Sequence, residues 1–116
     1  MRSIKVDQYE FENSGCEESL EIDLSQKSQF PHPEVRAFVG STVGVAAASS
    51  LGESAPFFQS ANRWQVSEYL KRFAGIDVPV HSDWPTYELE KESWDRVHLV
   101  ICAPGMFIRY QWSTSA

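Results

Sequence analysis

Histidine and cysteine are scarce here, three and two among 116 residues, and neither type falls into a ligand or redox spacing. His32, His81 and His98 stand far apart, as do Cys16 and Cys102, so the close pairs that hold zinc or run disulfide exchange are missing. Long apolar runs are lacking as well. The stretch richest in small and apolar residues, Ala37 to Leu51, carries Gly, Ser and Thr throughout and is too short and too polar to span a bilayer. No N-terminal apolar run resembles a signal peptide. Basic clusters are absent too: ten Lys and Arg against sixteen Asp and Glu leave a formal charge of −6, which disfavours direct binding to nucleic-acid phosphates. These absences predict a cytoplasmic chain in a reducing compartment, with no cofactor, no metal site, no membrane association and no direct nucleic-acid contact.

What is present is the material of a packed core. A hydrophobic share of 42% and four tryptophans exceed what a disordered chain carries, and no repeat or linker divides residues 1–116, so a single globular domain is expected.

The most specific pattern lies near the C-terminus. Val97-His98-Leu99-Val100-Ile101-Cys102 and Phe107-Ile108-Arg109-Tyr110-Gln111-Trp112 flank the turn signal Ala103-Pro104-Gly105-Met106. Pairing residues whose numbers sum to 209 sets Ile101 beside Ile108, Leu99 beside Tyr110 and Val97 beside Trp112. The opposite face then holds Cys102 with Phe107, Val100 with Arg109, and His98 with Gln111. A slip of one residue would put Arg109 and Gln111 into the apolar layer, so the pattern fixes the register.

A second hairpin is predicted at the N-terminus, where Ile4 and Val6, then Leu20, Ile22 and Leu24, alternate with charged residues around the turn-like segment 12–16. The apolar set changes parity at Gln8-Tyr9, as a bulge would require. From Val35 to Leu51 the spacing of Val35, Phe38, Val39, Thr42, Val43, Ala46 and Ala47 favours a helix, with Pro33 and Glu34 suited to its first turn. A strand over the same residues is the alternative. As a helix, it would carry Gly40, Gly44 and Ala48 as a smooth strip, through which the chain could form a homodimer instead of remaining a monomer.

A helix is expected from Ala61 to Ala74, with Ser60 as its N-cap, Val66, Tyr69, Leu70 and Phe73 as its buried stripe and Gly75 as its stop. Trp64 falls on the polar side with Lys71, exposed unless Phe57 and Phe58 fold back over the indole. Pro85 to Glu92 reads as an edge strand with Glu88, Glu90 and Glu92 on its outer side, or alternatively as a short capped helix.

Together these segments predict an α+β fold: an antiparallel sheet made from the N-terminal hairpin and a three-stranded C-terminal meander, with two helices packed on one face. The candidate reactive groups are scattered. His98 and Cys102 share a strand face but lie roughly 13 Å apart at about 3.3 Å per residue, too far for a nucleophile and its base. No catalytic residue is assigned and no enzyme is expected. The leading expectation is a protein-binding module, an acidic inhibitor or immunity-type protein that caps a basic or mixed site on a larger enzyme. Its contact residues would be Trp64, Lys71, Trp84, Glu88, Glu90, Glu92 and Trp94. The alternative is a small-ligand binder or simple enzyme, with a pocket between the helices and the mixed hairpin face lined by His98, Arg109 and Gln111. If a helix covers that face instead, Arg109 is free to meet a carboxylate of the N-terminal hairpin.

Overall fold

A computed structural model describes residues 1–6, 18–27 and 34–114, and in it six strands form one antiparallel sheet. The strands are β1 (Arg2–Val6), β2 (Glu18–Gln26), β3 (Ala55–Pro56), β4 (Pro85–Ser93), β5 (Arg96–Ala103) and β6 (Met106–Thr114), in the spatial order β1-β2-β6-β5-β4-β3. The parity change at Gln8-Tyr9, the turn at 12–16 and the prolines before the first helix lie outside the described residues.

The C-terminal hairpin has the predicted pairing, and the two N-terminal strands pair antiparallel with each other as expected. Val97 faces Trp112, Leu99 faces Tyr110 and Ile101 faces Ile108, while Ile4 faces Ile22 and Val6 faces Leu20. Gly105 turns the C-terminal hairpin at φ 74°, a left-handed conformation that a side chain disfavours. What joins the hairpins is the β2–β6 ladder, which sets Asp23 opposite Arg109 and Glu21 opposite Gln111. The α+β class and the sheet of N-terminal hairpin plus C-terminal meander are therefore as expected, and Pro85–Ser93 is a strand.

Side-chain alternation decides what each helix meets. The layer of Leu20, Ile22, Leu24, Leu99, Ile101, Ile108 and Tyr110 packs against Val66 and Leu70, from the helix α3 (Arg63–Tyr69) and the π-helical turn Leu70–Ala74 that continues it. Gly75, at φ 69°, ends that helix in the left-handed conformation, and Ile76 N–H reaches back to the Leu70 carbonyl. The predicted Ser60 cap is replaced: Asn62 occupies the cap position, without a side-chain cap bond.

Val100 and Phe107, of opposite parity, belong to a separate apolar cluster with Phe38 and Val39 of α1 (Glu34–Thr42). A nine-residue helix is marginal alone, since isolated helices need about 12–15 residues. The fully buried Phe38 and Val39, with the Phe38 ring stacked 5.4 Å from Phe107, hold it in place. The segment predicted as one helix to Leu51 breaks at Gly44, whose φ of 146° no helix accommodates, and resumes as α2 (Val45–Ser49). The break folds α2 back so that a Cβ at Gly40 would stand 3.9 Å from the Ala48 Cβ. The small-residue strip is thus an internal contact between two short helices, not one continuous helical face.

Candidate functional site

The mixed face of the C-terminal hairpin closes on itself through Arg109. The β2–β6 register aims two carboxylates at the guanidinium: Nε donates to Asp23 Oδ2 at 2.6 Å, and Nη2 lies 2.9 Å from Glu21 Oε1. Nη1 donates to Gln111 Oε1 at 2.8 Å and meets His98 Nε2 at 3.1 Å. Ser3 donates to the second Asp23 oxygen at 2.5 Å, bringing β1 into the network. Arg109, Asp23 and His98 are all buried.

A guanidinium has only donors, so His98 Nε2 must be the accepting, unprotonated nitrogen. Its proton then sits on Nδ1, 4.0 Å from Glu90 Oε1. Burial first and the Arg109 charge second hold the imidazole below its usual pKa, outweighing Glu90, Glu21 and Asp23. The hairpin face therefore carries neutral histidine and charged arginine side by side. Of the three residues expected to line a ligand pocket, Gln111 borders an open cleft of about 410 Å³ together with Lys5, Ser19, Glu21 and Ser113. His98 and Arg109 do not line it; they are buried and bonded to each other, and Arg109 is held by Asp23, Glu21 and Gln111.

Cys102, facing Phe107 across the hairpin, is a free thiol that burial pushes up to about 11. It is protonated, and so unreactive as a nucleophile, near neutral pH.

The residues expected to contact a partner fall into two groups. Trp64 and Trp94 are exposed, at 61% and 72% of their surface. Phe57 is fully buried, whereas Phe58 is exposed, and the Trp64 ring stands edge-on to His81 at 6.3 Å, so Phe57 and Phe58 do not cover the indole. The backbone of Phe58 donates to the Ser82 carbonyl, which fixes this aromatic loop beside the one carrying His81. Lys71 is exposed on the same helical stretch. Trp84, by contrast, is half-buried against the main core.

The acidic row does not stay on one side. Glu88 pairs with Leu99 and Glu90 pairs with His98, so Leu89 is an extra residue in β4 and the strand bulges there. Glu90 consequently turns toward His98, while Glu88 remains on the Leu99 side. Glu92 is engaged: its two oxygens accept from Ser60 Oγ at 2.7 Å and Asn62 Nδ2 at 2.9 Å, which ties the end of β4 to the start of α3. In sequence, Trp64 follows Asn62 by two residues and Trp94 follows Glu92 by two, so each tryptophan is close along the chain to one side of this tie. Beside it opens a cleft of about 110 Å³, lined by the apolar Ala55, Pro56 and Leu99 and by polar residues that include Thr86, Glu88 and Glu92.

Sequence reasoning missed the Glu92 tie and the bulge. The signal for the tie was Ser60 and Asn62 before the helix, polar residues whose side chains serve β4 instead of the helix end. Among the described residues no group of three or more metal-ligating side chains converges, and no helix is long and apolar enough to cross a membrane.

Comparison with protein-family models, curated proteins and solved structures finds no match.

Proposed function

We propose that this chain is a protein-binding module that docks through the junction of α3 and β4, with Trp64 and Trp94 as its anchors. The observation that carries this reading is the exposure of two tryptophans, each close along the chain to one side of the same tie, beside a carboxylate cleft. Exposed tryptophan is costly to leave in water, and where it recurs at one place it supplies the rigid apolar area that binding hot spots use. Glu88 and the net charge of −6 favour a partner with a basic or mixed surface, and an acidic inhibitor or immunity-type protein acting in the cytoplasm fits that chemistry. Lys71 is exposed on the turn that continues α3, and Glu90, turned to the His98 side, is outside this surface. The chain acts by presenting a surface and not by catalysis.

The test is affinity capture from the native host with the wild-type chain and with a Trp64→Ala, Trp94→Ala variant as baits, followed by direct binding measurements on the purified candidate. A partner whose affinity falls at least tenfold with the variant supports the proposal; a partner held equally well by both baits overturns it.

A further inference from the structure

We infer that the cleft beside the α3–β4 junction receives one basic side chain, lysine or arginine, from the protein partner, with Glu88 as its counter-ion. This rests on the docking reading above and names what enters.

Size is the first argument. At about 110 Å³ the cleft falls well short of the roughly 300–1,000 Å³ of small-molecule pockets, yet it admits a single side chain. Shape and polarity come next. Its lining includes Ala55, Pro56 and Leu99, which suit the methylene stem that lysine and arginine carry, and the exposed Glu88, beside which the charged head would remain partly hydrated.

The third argument is which charge is available. Both oxygens of Glu92 are taken by Ser60 and Asn62, and Thr86 Oγ1 donates to the Trp84 carbonyl. The nearby Arg63 uses Nη1 on the Ser60 carbonyl. Glu88 lines the same cleft, is exposed, and has no ion pair or hydrogen bond among the described residues. A carboxylate with a free bidentate edge above an apolar slot matches a guanidinium or ammonium on a flexible stem. The bulge at Leu89 sharpens the choice, because it withdraws Glu90 to the His98 side and leaves Glu88 as the unengaged carboxylate on the cleft.

The experiment is a ¹⁵N-resolved titration of the full chain with four capped tripeptides, glycine on either side of arginine, lysine, citrulline or glutamate. The arginine and lysine peptides should shift the amides of Ser60, Thr86, Glu88 and Leu99 saturably, with dissociation constants in the roughly millimolar range expected of one side chain. Citrulline and glutamate should not, and Glu88→Gln should weaken the arginine peptide about tenfold. Equal binding of citrulline, or the absence of any saturable shift, overturns the inference. The two readings fail separately: a partner lost with the tryptophan variant but no arginine response sinks the inference alone, whereas an arginine response with a partner indifferent to Trp64 and Trp94 sinks the docking surface.

Discussion

Arg109 Nε stands 2.6 Å from Asp23 Oδ2 across 86 residues of chain, and with the Glu21 contact of the same guanidinium it joins the two hairpins on the mixed side of the sheet. Its partners outnumber its charge: two carboxylates face a single guanidinium beside a neutral imidazole.

Removing the cation alone should therefore be severe. Arg109→Met is expected to lower stability by about 3–5 kcal/mol, because Asp23 is left as a buried, uncompensated charge. Urea unfolding checks this. Replacing Arg109, Asp23 and Glu21 together by apolar residues should recover most of the loss, since apolar packing often equals a buried ion pair.

Acid should act on the same network. The His98 pKa is held below 6.5 in the folded chain, so between that lowered value and 6.5 the unfolded chain binds more protons. Stability should thus fall as pH drops through this window, with a slope of at most about 1.4 kcal/mol per pH unit from this one group, and level off below the folded value. In His98→Gln, whose amide oxygen is able to accept from Arg109, that component should vanish from the stability-versus-pH curve. An unchanged curve would assign the neutral state of His98 no part in folding.

Position separates core from surface among the large side chains. Leu99, fully buried, should cost about 2–5 kcal/mol as Leu99→Ala. Trp64→Ala should stay within about 0.5 kcal/mol, as exposed substitutions do, despite removing a larger group. Equal losses at both positions would place the indole in the core.

Two glutamates on one strand should also part company. Glu92→Ala breaks both bonds to Ser60 and Asn62 and should destabilise the start of α3 by about 1 kcal/mol. Hydrogen exchange at residues 60–66 would report it. Glu88→Ala should leave both stability and exchange nearly unchanged.

The C-terminal hairpin was legible because Arg109 and Gln111 penalise a one-residue slip while the Pro-Gly turn sets the loop, and the N-terminal hairpin because Ile4, Val6, Leu20, Ile22 and Leu24 alternate cleanly. The π-turn was hidden inside a good helical stripe, since Val66, Leu70 and Phe73 suit either geometry. Gly44 was read as a small residue within a helix, whereas its backbone adopts an angle that ends one, and propensity alone does not distinguish a tolerated glycine from a hinge. The order of the strands is a long-range choice, so the carboxylates that meet Arg109 could be assigned to the N-terminal hairpin but not to Asp23 and Glu21. Trp64 was placed on the polar side by its angle; whether Phe57 or Phe58 reached it depended on a loop without periodicity.

The additional residue in β4 acts as a half-cycle phase shift. A second register shift between Glu90 and Ser93 reverses it, so of the three glutamates Glu90 alone is turned to the His98 side while Glu88 and Glu92 line one cleft, and a run that a linear count would merge into a single electrode is divided between opposite surfaces.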